Sequence, residues 1–330
     1  MKVCVYLELE GKLKISGIGV SAENQRKALR KTGIKITSNP NEKYDILDIN
    51  TIGPQSLVFA KKAKKDGKKV VIHAHTFPDD FRESFRGSNF LARFLEKYLP
   101  YFYNQADLII TPSVFRKHQL KKMLGAEKNI RVVSNGVDIE KFQFSEKKRA
   151  RYRKKFSMEG VIPYSVGQVF IRKGINTFVN VAKKMNGNFF WFGPIPHRLL
   201  CSGGVRKVMK QCPPNVKFTG RVGDIVAAHS AGDVFFFPTF NESQGMAILE
   251  AGACKKPLVI RDLSVFEGWL KNGRNCLKAK TDEQFRKCLE HVIENEKERK
   301  RLAKNAYMLA QQHSLERIGN ELIDVYTSIL

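Results

Sequence analysis

Two glutamates eight positions apart, Glu242 and Glu250, frame the segment Asn241-Glu242-Ser243-Gln244-Gly245-Met246-Ala247-Ile248-Leu249-Glu250, which follows a proline-terminated apolar run and reads as a helix start. Eight helical positions make about two turns, yet Glu242 stands before the first turn, so the two carboxylates can grip two ends of one elongated ligand. A nucleotide sugar has two such ends. Glu250 can accept hydrogen bonds from both ribose hydroxyls and Glu242 from sugar hydroxyls, while unpaired N–H groups at Gly245, Met246 and Ala247, with Gln244 beside them, face a diphosphate. Gly245 leaves room for close approach of the backbone. The same spacing also describes an acidic helix cap over core-facing Ile248 and Leu249.

A second cluster, Val166-Gly167-Gln168-Val169-Phe170-Ile171-Arg172-Lys173-Gly174, sets two cations between glycines. It suits phosphate, and it equally suits a solvated loop. Nearer the start, Lys14-Ile15-Ser16-Gly17-Ile18-Gly19 follows an apolar run and precedes a helix with Ser21 as its expected cap, the place for a glycine loop near phosphate. In Ile72-His73-Ala74-His75-Thr76 both histidines are expected on one strand face, because side chains two apart point the same way. Each also reads as a structural histidine. No D-x-D triplet occurs in the sequence, so a closely spaced aspartate pair able to hold a divalent ion is missing, and a site without metal is expected.

These groups need a scaffold of strands and helices in alternation. Short β-rich runs at residues 3–7, 44–49, 70–75, 107–111 and 130–133, and again at 163–166, 188–192, 216–218, 233–238 and 257–260, are separated by stretches with helical periodicity. Ile175, Phe178, Val179, Ala182 and Met185 mark one such helix face. The pattern predicts an α/β chain of two doubly wound halves, each with a parallel sheet. The charge-dense residues 146–155 read as an exposed linker or surface helix, which puts the boundary near residue 145.

The bulk numbers agree. A chain of 330 residues, 42% hydrophobic and 27% charged, suits two globular domains. No apolar run approaches the roughly 18 to 20 residues that cross a bilayer, and the first residues read as a strand rather than a signal peptide, so a cytoplasmic protein is expected. Six cysteines without a C-x-x-C pair read as buried free thiols. The net charge of +26, shared by both halves, implies attraction to phosphate-bearing partners. A basic nucleic-acid-binding protein would explain that charge, but no motif of that class is present. Residues 82–103 are distinctive. Leu91, Phe94, Leu95, Tyr98, Leu99 and Phe102 fall at helical spacing with Phe85, Phe90, Tyr101 and Tyr103 beside them and Arg82, Arg86, Arg93 and Lys97 around them. Such a helix can lie in an anionic headgroup layer, or pack as an interior helix.

Taken with other segments, these residues resemble the retaining GT-B glycosyltransferases of family 4. The spacing of Glu242 and Glu250 is similar to that family's E-x7-E element. Ser134-Asn135-Gly136-Val137-Asp138 with Phe142 resembles its N-G-V-D-x-x-x-F signature, and Ala231-Gly232-Asp233-Val234 through Pro238 resembles its A-D-V-F-x-x-P strand. Leu249-Glu250-Ala251 with Lys256-Pro257-Leu258-Val259 continues the match. Residues 166–174 resemble the G-R-L-x-x-x-K-G loop, with Gln168 in place of the usual arginine.

The resemblance implies two Rossmann-like domains facing each other across a cleft: residues 1–145 on the acceptor side, joined by a C-terminal helix at 314–330 that crosses back, and residues 146–313 binding the nucleotide sugar. It implies His75, Lys173 and Glu242 as catalytic residues. Gly17, Gly19, Gln168, Arg172, Lys173, Glu242, Gln244, Gly245, Met246, Ala247 and Glu250 would bind the donor, with no metal and no cofactor. The implied activity is transfer of a hexose from a nucleotide-sugar donor, a UDP-sugar first, with retention and front-face attack. The look of Ser16-Gly17-Ile18-Gly19 and of residues 75–81 implies a membrane lipid acceptor such as diacylglycerol or a glycosyl-diacylglycerol. The enzyme would then be peripheral on the inner face of the cell membrane, bound to its anionic surface. Extension of a surface polysaccharide or a lipid-linked oligosaccharide is the alternative.

Overall fold

A computed structural model describes residues 1–14, 16–80, 88–196 and 203–330, with the side chain of Asn89 excepted. The chain forms two compact units. One carries the first sheet and takes in His313–Leu330, and the other runs from Asp138 to Gln312.

The first sheet contains β1 (Lys2–Tyr6), β2 (Lys35–Thr37), β3 (Ile46–Ile49), β4 (Lys69–His73), β5 (Leu108–Thr111) and β6 (Ile130–Val132) in the order β2-β1-β3-β4-β5-β6. The second contains β7 (Pro163–Val166), β8 (Phe189–Phe192), β9 (Val216–Gly220), β10 (Val234–Phe237), β11 (Leu258–Arg261) and β12 (Leu277–Ala279) in the order β12-β11-β10-β7-β8-β9. All pairings are parallel. Because helices cover both faces of a parallel sheet, its central strands read as continuous apolar runs, as Phe189–Phe192 and Val234–Phe237 do, buried at every position.

In the first unit, the helix Leu315–Thr327 buries Leu315, Ile318, Leu322 and Tyr326 with Val3, Val5, Ala28 and Leu29. Gly319 permits the contact with the helix Gly17–Lys31, since a Cβ there would stand 2.5 Å from the Ala28 carbonyl oxygen. In the second unit, the helix Glu146–Phe156 buries Tyr152 and pairs Arg149 and Arg153 with Asp233 at 2.7 and 3.1 Å.

The helix Ser88–Tyr103 corrects part of the aromatic-stripe expectation. Leu95, Leu99, Phe102 and Tyr103 enter the core of the first unit, because one helical face must complete the packing beside β4 and β5. Phe90, Phe94 and Tyr101 stay exposed, at 83, 56 and 49%. Arg93 and Lys97 are exposed beside them, and the Lys61 ammonium lies 5.3 Å from the Tyr101 ring centre. Arg82, Phe85 and Arg86 lie outside the described residues. The Cys4, Cys254 and Cys276 thiols are buried, and burial pushes each up to about 12.

Candidate active site

The second unit gathers its expected donor residues at the C-terminal ends of two adjacent strands, where open α/β sheets bind ligands. β7 and β10 are hydrogen-bonded neighbours, and each ends in one of the two motifs. After β7, Gly167 leads to exposed Gln168 and the short turn Ile171–Lys173. After β10, Pro238 leads through Thr239 to Glu242 and Gly245, where the helix Met246–Ala253 starts.

The two loops are pinned together. Phe240 N donates to the Arg172 carbonyl at 2.7 Å, and a Cβ on Gly174 would stand 2.1 Å from the Pro238 carbonyl oxygen. Gly174 also has φ +83°, a left-handed backbone that glycine adopts without strain. This approach brings the Lys173 ammonium to 2.5 Å from buried Glu242 Oε1, with Thr239 Oγ1 3.0 Å from the same oxygen. Arg172 sits beside them with its guanidinium 5.7 Å from the Phe170 ring centre, and its buried Nε has no hydrogen-bond partner among the described residues.

Gly245 caps the helix Met246–Ala253 with φ +87° and no side-chain cap bond; Ile248 N donates to the Gly245 carbonyl at 2.9 Å, which leaves the N–H groups of Met246 and Ala247 as the candidates for an anion. Gln244 is buried, and Met246 and Ala247 are half-buried. Glu250, about one turn into that helix and half-buried, has one carboxylate oxygen 3.6 Å from His229 Nε2.

In the first unit, Gly17 and Gly19 form the first turn of the helix Gly17–Lys31. Its cap is Ser16, whose side chain accepts from Gly19 N at 3.2 Å, and not Ser21 as the sequence led us to expect. The helix starts five residues earlier because Gly19 tucks under the preceding turn, where a Cβ would stand 2.1 Å from the Leu13 carbonyl oxygen. Ser21 lies inside the helix and donates to Asn135 Oδ1 at 2.9 Å, and Asn24 donates to the Gly136 carbonyl at 3.1 Å.

β4 ends at His73, and the two histidines lie side by side as expected, their rings stacked with centroids 5.6 Å apart. His75 Nε2 is 3.0 Å from Asn50 Oδ1. Behind it runs a buried network that the sequence reading missed. Asn50 donates to Gln25 Oε1 at 2.9 Å, Gln25 donates to the Tyr326 hydroxyl at 2.9 Å, and Tyr326 donates to Asp48 Oδ2 at 2.6 Å. His73 Nε2 is 3.1 Å from that same oxygen. Burial, with His73 adding to it, pushes His75 down to about 3, so its imidazole is neutral at physiological pH. Asp48 interrupts an otherwise apolar strand and Asn50 follows it directly, and that was the available signal.

The model of glycosyl transferases group 1 matches residues 146–308, and that of glycosyltransferase family 4 matches residues 26–141. The chain is 34% identical to a processive diacylglycerol alpha-glucosyltransferase of Acholeplasma laidlawii, over all of this chain and 99% of that one. It is 25% identical to an alpha-galactosylglucosyldiacylglycerol synthase of Streptococcus pneumoniae, over 95% of this chain and 86% of the relative. Among solved structures, HepE of Anabaena, crystallised in complex with UDP-glucose, superposes with a TM-score of 0.77 at 18% identity, covering 99% of this chain and all of that one.

Proposed function

Since the chain belongs to the glycosyl transferases of group 1 and family 4, built on the GT-B fold, we propose that it moves a hexose from a UDP-sugar to a diacylglycerol-type membrane lipid with retention of configuration. The observation that carries the lipid acceptor is the 34% identity, end to end, to a processive diacylglycerol alpha-glucosyltransferase. HepE, which was solved with UDP-glucose, supports the choice of donor.

In this reading the diphosphate lies against Lys173 and the first turn of the helix Met246–Ala253, with Gln168, Arg172 and Gln244 beside it. Glu250 accepts from the ribose hydroxyls and Glu242 from the sugar. His75, neutral and held by Asn50, supports the transferred sugar as a hydrogen-bonding group rather than as a cation. The bond from the sugar anomeric carbon to the diphosphate breaks while the lipid hydroxyl oxygen bonds to that carbon on the same face. The hydroxyl proton passes to the departing phosphate oxygen. Preorganised cations and N–H groups stabilise the leaving charge. The missing D-x-D triplet supports a reaction that needs no divalent metal.

No described helix is long and apolar enough to cross a membrane. The protein reaches its acceptor as a peripheral protein on the inner leaflet, through exposed Phe90, Phe94 and Tyr101, with Arg93, Lys97 and Lys61 drawn to anionic headgroups. A screen of labelled nucleotide sugars against extracted membrane lipids tests the whole reading. Label is expected in a lipid product from a UDP-hexose, and incorporation only into polysaccharide would overturn it.

A further inference from the structure

Beneath Glu250 lies a buried pair that the donor-binding reading does not use. His229, on the helix Ile225–Ala231, is fully buried, and its ring is boxed by Tyr164, Phe235 and Phe142 at centroid distances of 5.7, 5.8 and 6.0 Å. Its Nδ1 is 2.9 Å from the hydroxyl of Tyr164, which is itself fully buried. Gly232 makes room for that tyrosine, since a Cβ there would stand 2.0 Å from its ring. The other ring nitrogen, Nε2, is buried and has no hydrogen-bond partner among the described residues, and it faces Glu250 Oε2 at 3.6 Å.

Burial holds the Tyr164 hydroxyl well above 10, so it keeps its proton and can donate it to Nδ1. That bond sets the tautomer, because a ring whose Nδ1 accepts carries its proton on Nε2, the nitrogen aimed at Glu250. An orphaned buried N–H is unfavourable, and an adjustment of a few tenths of an ångström by the Glu250 side chain would pair it.

We propose that His229, oriented by Tyr164, is a positioning residue that turns the Glu250 carboxylate so that it meets both hydroxyls of the donor ribose. This rests on the reading of Glu250 as the ribose-binding group. The structure thereby links β7, the helix Ile225–Ala231 and the helix Met246–Ala253 in one relay, Tyr164 to His229 to Glu250. Groups behind a ligating side chain act by fixing its orientation, so their loss shows as weaker binding of the ligand atoms that side chain touches.

Calorimetry with UDP and with 2′,3′-dideoxy-UDP separates positioning from general stability. Wild type is expected to prefer UDP. His229→Leu is expected to lower UDP affinity about tenfold and leave dideoxy-UDP unchanged. His229→Gln, whose amide can return an N–H near the Nε2 position, is expected to recover most of the loss. Tyr164→Phe, which deletes only the hydroxyl, carries the same test should the leucine variant not fold. Equal loss for both probes, or unchanged UDP affinity, would overturn the positioning role. If wild type bound the two probes equally, the ribose reading of Glu250 would be the part that fails, and the proposal with it.

Discussion

Lys173 Nζ stands 2.5 Å from Glu242 Oε1, so the cation proposed for the diphosphate and the carboxylate proposed for the sugar neutralise each other when no donor is bound. In the proposed reading, donor binding exchanges that pair for two new contacts. Lys173→Ala is expected to lower kcat by about 10² to 10³, the scale for losing one preorganised electrostatic donor. Glu242→Gln is expected to tighten binding of UDP, which has no sugar to miss the carboxylate, while lowering turnover of the UDP-sugar. Calorimetry and steady-state kinetics on the two variants check both outcomes, and chelation by EDTA should leave the wild-type rate unchanged.

The depressed His75 sets a pH dependence of stability. Its folded value of about 3 lies below the unfolded value near 6.5, so between these the unfolded chain binds the proton and the folded chain does not. Its contribution is therefore present above about 6.5 and is lost as the pH falls toward 3. His313, also lowered by burial, acts with the same sign. Thermal melting from pH 7 to pH 4.5 should show a falling Tm, with a shallower slope in His75→Gln. Turnover should show no limb from His75 between pH 5 and 8.

Tyr326 couples the last helix to the histidine region through Asp48 and Gln25. Tyr326→Phe keeps the packing and leaves the buried Asp48 carboxylate one donor short, at a cost of about 1 to 3 kcal/mol. A lowered Tm together with a kcat loss larger than that of the exposed-face variant Glu316→Ala is the expected pattern. Deletion of residues 314–330 should remove both stability and turnover, because four apolar positions leave the core of the first unit.

If the exposed aromatics form the proposed membrane face, Phe90→Ser with Phe94→Ser should weaken sedimentation with phosphatidylglycerol vesicles and leave activity on a short-chain soluble acceptor intact. Binding of the unmodified protein should be strong on those vesicles, weak on phosphatidylcholine, and reduced by salt, since exposed charges are screened over about 8 to 10 Å near physiological ionic strength.

The central strands were legible because burial on both faces makes them continuous apolar runs. β2 and β12 were missed: each has three residues, stands at a sheet edge and carries a lysine, too little pattern to see. The carboxylate and lysine motifs were legible because their order along the chain is fixed by the strands that carry them. The Ser16 cap was not, since it depends on a backbone contact between Gly19 and Leu13 that spacing does not encode. The same holds for Tyr326 with Asp48 and for His229 with Glu250, partners far apart in sequence that meet only through packing. The stripe of residues 82–103 left two readings open for a related reason: one amphipathic helix can offer its apolar face to a core or to a membrane, and only tertiary packing assigns each aromatic.

Incubation with UDP-glucose labelled at the anomeric carbon and diacylglycerol in phosphatidylglycerol vesicles tests the account most directly, with proton NMR of the extracted lipid reading the new linkage. An α-linked glucosyl-diacylglycerol, formed in the presence of EDTA and lost in Lys173→Ala, is the result expected. Donor hydrolysis without a lipid product, or a β-linked product, would contradict the account.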